Sequence, residues 1–141
     1  AGNDQMIEAL NLIQDHLFVG IFPALQEAGI AALLNPNSEE AVAQLNATYD
    51  SRRDAFVQAA AKIGWQAFPS RGSFYAWMPV PEGYTSESFA DLLLEKAHVA
   101  VAPGKGFGPA GDAYVRIGLL VEPERLVEAV NRIANLHLFN N

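Results

Sequence analysis

Residues 73–78 read Ser-Phe-Tyr-Ala-Trp-Met, and residues 114–119 read Tyr-Val-Arg-Ile-Gly-Leu. Both stretches are rich in aromatic and β-branched side chains, which predicts two strands. Two shorter apolar stretches, residues 65–68 and 98–102, are predicted as further strands. Helical spacing of apolar residues predicts two helices, over residues 85–97 and from Pro123 onward. The order β-β-α-β-β-α predicts an α+β layer in which two helices cover a small sheet.

The part of the chain before Trp65 is predicted to be entirely helical. Apolar residues at helical spacing indicate one helix over residues 4–17 and a second that opens at Pro23 and stops before Pro36. A third helix is predicted to be unusually long and to end at Gly64, which suits a left-handed stop. Because this half has no sheet of its own, it resembles the edge of another domain.

Composition excludes several classes of function. The chain has 141 residues, a formal charge of -7 and no cysteine. The missing cysteines exclude disulfides and thiolate metal sites, and the negative charge argues against a nucleic-acid partner. His16, His98 and His137 match no metal-ligand spacing, so no metal site is predicted. No membrane span or secretory signal is visible, and we expect a soluble, cytoplasmic protein.

Arg116 is the most unusual residue of the predicted strands. It lies between Val115 and Ile117, and the period of a strand places it on the opposite face from both. An arginine binds a carboxylate with two parallel hydrogen bonds, so Arg116 suits a small anionic ligand. The alternative is an edge-strand arginine paired with an Asp or Glu, and the residues alone leave the two interpretations even.

The glycine-rich stretch Gly106-Phe107-Gly108-Pro109-Ala110-Gly111 satisfies the pattern G-x-G-x-x-G. A dinucleotide site needs this pattern to open a helix, and here a strand follows. The stretch is therefore interpreted as a loop that crosses near a ligand, or simply as a long turn.

Four segments together resemble a known family, the class I/II pyridoxal-phosphate-dependent aminotransferases of fold type I. They are Gly72-Ser73-Phe74-Tyr75-Ala76-Trp77 for the family's G-x-F-Y-x-W strand, Val99-Ala100-Val101-Ala102-Pro103-Gly104 with Phe107-Gly108 for its V-x-V-x-P-G…F-G segment, Tyr114-Val115-Arg116-Ile117 for its Y-x-R-[ILF] strand, and Phe22-Pro23-Ala24-Leu25-Gln26 with Ala31-Ala32-Leu33 for a helix at its domain junction. The likeness extends over essentially the whole chain.

The resemblance implies a C-terminal fragment with three parts. Residues 1–36 would be the helical tail of the large cofactor domain, residues 37–64 a long connecting helix, and residues 65–141 the small α+β domain with a mainly antiparallel sheet. Arg116 would bind the α-carboxylate of the substrate, and Phe74 would line the substrate pocket. The intact protein would be a homodimer that uses pyridoxal 5'-phosphate to move an amino group between an amino acid and a 2-oxo acid.

The resemblance also implies what this chain lacks. Lys62, Lys96 and Lys105 are its lysines, and none matches the family's Schiff-base lysine motif, so no catalytic or cofactor-binding residue is assigned and the chain alone is expected to be inactive. Two alternatives stay open, a fragment of a related carbon–sulfur lyase and a stand-alone amino-acid sensor. The many apolar residues of the first two helices predict self-association through residues 1–34.

Overall fold

The computed structural model describes residues 2–18, 20–68, 70 and 72–139, without the side chain of Phe18. The helices are α1 Asp4–Ile13, α2 Pro23–Leu34, α3 Ser38–Lys62, α4 Ser86–Leu92 and α5 Pro123–Ala134. Single π-helical turns extend α1 over Gln14–Phe18 and α4 over Leu93–Ala97. The strands are β1 Tyr75–Pro79, β2 Ala102–Pro103 and β3 Tyr114–Gly118. The chain divides into two compact units, residues 1–43 and 44–141.

The sheet of the second unit is antiparallel and has the order β1-β3-β2. β3 is thus the central strand, and Arg116 lies opposite Trp77 on β1 and opposite Ala102 on β2. Side chains alternate between the two faces of each strand. Ala76, Met78, Val115 and Ile117 are buried, whereas Tyr75, Trp77, Tyr114 and Arg116 are only half-buried. The α+β prediction is confirmed.

The core lies on the buried face of this sheet, against α4, α5 and the C-terminal part of α3. Trp65 is its largest fully buried side chain, and its indole N–H donates a hydrogen bond to the carbonyl of Pro79 at 2.7 Å. Phe56, Phe89 and Phe139 pack around the indole at centroid distances of 6.3, 5.9 and 5.1 Å. Burying this much aromatic surface fixes the sheet against its helices.

Two predicted strands are wrong. Residues 65–68 are irregular because the chain turns at Gly64 (φ +80°), and the N–H of Trp65 bonds back to the carbonyl of Ala60. Of residues 98–102, only Ala102 pairs in the sheet. His98 is left-handed (φ +55°), and the N–H of Val99 donates to the carbonyl of Leu93 at the end of the preceding helix. The N–H groups of Trp65 and Val99 therefore bond to carbonyls of the preceding helices and are not available to a strand partner.

The first unit is built from α1, α2 and the beginning of α3. Asn3 caps α1, since its side chain accepts hydrogen bonds from the backbone N–H groups of Gln5 and Met6. Neither α1 nor α2 contains a buried residue. Large apolar side chains are exposed along both helices, among them Met6, Leu10, Leu25 and Leu33. Among the described residues, no helix combines the length and the apolar composition that a membrane crossing requires.

Candidate functional site

Arg116 occupies the middle of the central strand and extends from the face of the sheet opposite to the core. Within the part of the chain that the structure describes, its guanidinium forms no ion pair, although five other basic side chains there do. The alternative of an edge-strand arginine paired with a carboxylate is therefore wrong on both counts. A half-buried guanidinium without a counter-ion is available to an anionic ligand.

Aromatic rings surround the guanidinium instead of carboxylates. Its Cζ atom lies 4.1 Å from the ring centroid of Tyr75 and 4.2 Å from that of Phe107. Trp77 in turn packs against Phe107 and Tyr114, at ring-centroid distances of 5.8 Å and 5.7 Å. Cation–π contacts of this kind contribute on the order of 1 kcal/mol each and limit the rotamers of the arginine. The two rings flank the guanidinium, and no described residue forms a hydrogen bond with its N–H groups.

Phe107 comes from the loop of residues 104–113, which forms two short 3-10 helices, Gly104–Phe107 and Pro109–Ala113. The loop brings Phe107 beside Arg116 and does not open a long helix as a dinucleotide site would. That it crosses near a ligand stays a prediction. Its two ends touch at Gly104 and Gly111. A Cβ atom on Gly104 would lie 2.2 Å from the carbonyl oxygen of Gly111, so only glycine permits this approach.

Phe74 lies immediately before β1 and is 40% exposed. Its ring centroid lies 4.5 Å from that of Tyr75 and 5.7 Å from that of Tyr49 on α3. Tyr75 therefore touches both residues that the sequence predicts to bind substrate, Phe74 and Arg116, and connects them in one aromatic cluster. The role of each in binding stays a prediction.

A cleft of about 360 Å³ lies beside Phe74. It is lined by Leu45, Asn46, Tyr49, Asp50, Arg53, Gly72, Ser73 and Phe74. Arg53 forms ion pairs with Asp50 at 2.5 Å and with Asp54 at 2.8 Å. The hydrogen bond to Asp54 is the main cause of the raised pKa of Arg53. Unlike Arg116, this arginine already has carboxylate partners, so it is a poorer ligand for an incoming anion.

The lysines of the chain do not fit the attachment of pyridoxal phosphate. An amine that attacks a carbonyl at neutral pH needs a lowered pKa. Lys105 is instead ion-paired with Glu87 at 2.7 Å, and this hydrogen bond raises its pKa. Lys62 and Lys96 are exposed at helix ends, and neither amine lies in a buried pocket of the described chain. The described residues also contain no cluster of three or more His, Asp or Glu side chains that could hold a metal ion.

Sequence reasoning missed Tyr75 and Phe107 as neighbours of Arg116, and it missed the hydrogen bonds between Ser86 and Asp112. The alternation of β1 places Tyr75 on the same face as Trp77, which is a usable signal once the register is known. No local pattern connects Ser86 with Asp112, because they lie on separate elements.

Comparisons with known proteins identify the family. The sequence profile described as aminotransferase class I and II matches residues 1–133. The chain is 58% identical over 138 residues to the L-glutamine–4-(methylsulfanyl)-2-oxobutanoate aminotransferase of Bacillus subtilis, covering 98% of this chain and 34% of that protein. It is 44% identical over 132 residues to the LL-diaminopimelate aminotransferase of Moorella thermoacetica, covering 94% of this chain and 33% of that protein.

A solved structure shows the same likeness. Substrate-bound BacF from Bacillus subtilis superposes with a TM-score of 0.89 at 42% identity, covering 99% of this chain and 35% of that one. The chain thus spans about a third of the length of the relatives that it matches. Because the family profile covers nearly all of its residues, the chain belongs to the class I and II aminotransferase family.

Proposed function

We propose that this chain provides the substrate-carboxylate site of an aminotransferase that moves an amino group between an amino acid and a 2-oxo acid. The observation that carries the proposal is the guanidinium of Arg116, which lies on the central strand without a carboxylate partner among the described residues. Two parallel hydrogen bonds from its N–H groups would fix both oxygens of the α-carboxylate. Such a contact orients the substrate and so contributes to the rate by positioning.

Pyridoxal phosphate is the cofactor of the proposed activity, and when bound it supplies the electron sink that activates the amino acid. Since the lysines of this chain do not fit its attachment, we assign no cofactor-binding residue here. Phe74 is proposed to line the substrate pocket together with Arg116, because both residues contact the ring of Tyr75. The intact protein is proposed to be a homodimer, and the cytoplasmic location stays a prediction.

L-Glutamine and 4-(methylsulfanyl)-2-oxobutanoate are the first substrates to test, because they appear in the name of the relative that is 58% identical. Tyr75 and Phe107 flank the guanidinium of Arg116, and among the described residues no other cation forms a cation–π contact with either ring. An uncharged substrate side chain suits these surroundings better than a second carboxylate does.

A chimera tests the proposal. The matching region of the Bacillus subtilis relative is replaced by this chain, and transamination between the two substrates is measured. We expect activity from the chimera and a loss of about a hundredfold in kcat/KM on Arg116→Gln, which corresponds to about 2.7 kcal/mol. Arg116→Lys is expected to recover little, because an ammonium cannot form the two-pronged contact.

Arg125→Gln is the matched control, because Arg125 is exposed on α5 and paired with Glu128 at 2.9 Å. It is expected to leave kcat/KM unchanged. An active chimera in which Arg116→Gln keeps more than half of kcat/KM would refute the proposed role of Arg116.

A further inference from the structure

Ser86 is the polar residue that the core buries most completely in the described chain, with no exposed surface. It is the first residue of α4. Its hydroxyl donates a hydrogen bond to Oδ1 of Asp112 at 2.8 Å and accepts one from the backbone N–H of Lys105 at 3.3 Å. Lys105 and Asp112 belong to the first and second 3-10 helices of the 104–113 loop. One buried hydroxyl therefore binds both halves of the loop to α4.

Asp112 contributes a second bond to the same connection. Its Oδ1 atom also accepts a hydrogen bond from the backbone N–H of Ser86 at 3.2 Å. The hydroxyl bond is the main cause of the lowered pKa of Asp112, with smaller contributions from the backbone bond and from the charge of Lys105. The carboxyl group of Asp112 is therefore ionised at neutral pH. A charged acceptor strengthens both hydrogen bonds that Ser86 donates to it.

The loop has a narrow base and carries Phe107 at its far side. The base is closed where Gly104 and Gly111 touch, directly beside Lys105 and Asp112. Phe107 lies between Gly104 and Gly111 in the sequence. Its ring centroid is 4.2 Å from Cζ of Arg116. Phe107 is 53% exposed, and besides Arg116 its ring contacts Trp77 at a centroid distance of 5.8 Å. Because about half of the residue is exposed, its position also depends on the base of the loop staying closed.

We propose that Ser86 and Asp112 are positioning residues for the anion site, which hold the 104–113 loop closed and thereby keep Phe107 against Arg116. This inference rests on the proposed function in so far as Arg116 binds a carboxylate. The position of Phe107 can be measured without any ligand, so the two can fail separately.

The experiment uses the 141-residue chain and follows the Nε–Hε signal of Arg116 by NMR, assigned with Arg116→Lys. Aromatic rings stacked on a guanidinium shift its proton signals upfield. We expect such a shift in the wild-type chain and a loss of the part due to Phe107 in Ser86→Ala, Asp112→Ala and Phe107→Leu. Asp112→Asn, which keeps an acceptor for the Ser86 hydroxyl, is expected to retain most of the shift.

The matched control is Glu87→Gln. Glu87 also connects α4 to the loop, through its ion pair with Lys105, but both members of that pair are exposed. Exposed ion pairs contribute little, so the Arg116 signal is expected to stay unchanged. An Arg116 signal that ignores Asp112→Ala, or that responds equally to Glu87→Gln, overturns the proposal.

Binding is measured on the same variants with acetate as the probe and acetamide as its uncharged analogue. We expect Asp112→Ala to weaken acetate binding by about tenfold. In a Phe107→Leu background the same substitution is expected to have no further effect, because Asp112 acts through Phe107. An equal loss in both backgrounds contradicts the proposal.

If acetate leaves the wild-type Arg116 signal unmoved while the shift pattern is as expected, the carboxylate site fails and the positioning of Phe107 stands. If acetate binds and the shifts do not respond to Ser86→Ala or Asp112→Ala, the positioning fails and the proposed function stands.

Discussion

At the residue scale, the contact between Gly104 and Gly111 shows how little space the base of the 104–113 loop contains. A Cβ atom on Gly111 would lie 2.1 Å from the carbonyl oxygen of Gly104, and a backbone atom cannot move away as a side-chain end can. We expect Gly111→Ala to lower the free energy of unfolding by about 2–4 kcal/mol, measured by urea denaturation.

Gly106→Ala is the control for this prediction, since a Cβ there meets nothing within 4 Å. It is expected to change the free energy of unfolding by less than about 0.5 kcal/mol. Equal effects of the two substitutions would show that the loop base is not closely packed.

Trp65 gives a second prediction at this scale. Its indole is 1% exposed, and its N–H satisfies the carbonyl of Pro79. We expect Trp65→Phe to cost about 2–3 kcal/mol of unfolding free energy, because it leaves a gap in the core and removes the hydrogen bond to Pro79. Trp77→Phe, at a half-buried tryptophan on the opposite face of β1, is the comparison and is expected to cost less. Thermal denaturation that ranks the two variants in reverse would contradict this account of the core.

At the scale of elements, the bond between α4 and the loop makes stability depend on pH. The folded-state pKa of Asp112 lies below its ordinary value of 3.8. Its contribution is therefore fully present above pH 3.8 and is lost as the pH falls through the lower folded value. Lys105 and Ser86 face this carboxylate, and Lys105 stays charged throughout the range.

We expect the difference in unfolding free energy between the wild-type chain and Asp112→Asn to shrink below pH 3.8, as followed by urea denaturation at pH 7 and pH 3. A difference that is the same at both pH values would mean that the carboxylate charge does not hold the loop.

The elements also show what a sequence can predict. In the described part of the chain, helices α1 to α5 and strands β1 and β3 follow from local periodicity and from Pro and Gly near several of their ends. The alternation of β3 likewise places Arg116 opposite to the core. Residues 65–68 have the composition of a strand, yet Trp65 is fixed by a bond to Pro79, which lies on another element. The bonds of Ser86 to Asp112 likewise join residues 26 positions apart, and no local pattern contains that information.

At the scale of the whole molecule, the first unit exposes more apolar surface than a helical pair in water normally does. Leu10 is 58% exposed and Leu33 is 84% exposed, and α1 and α2 bury no residue. We expect the chain to self-associate through residues 1–34, with a sedimentation coefficient that rises with concentration. Leu10→Glu combined with Leu33→Glu is expected to abolish the rise, because the charges oppose burial.

Leu120→Glu is the control for self-association, since Leu120 is 55% exposed and lies in the second unit. It is expected to leave the concentration dependence intact. A chain that sediments as a monomer at every concentration, or a Leu120→Glu variant that alone prevents association, would contradict the assignment to residues 1–34.

The strand order β1-β3-β2 has a consequence for biosynthesis. The central strand, β3, is synthesised after β1 and β2. The backbone groups with which β1 and β2 bond to β3 therefore stay unpaired until residues 114–118 have left the ribosome. Pairing then closes over a long sequence separation, which slows folding. A nascent chain interrupted before Tyr114 would present two unpaired strands, with the aromatic side chains of β1 exposed, and it would be a target for chaperones and proteases rather than a folded intermediate.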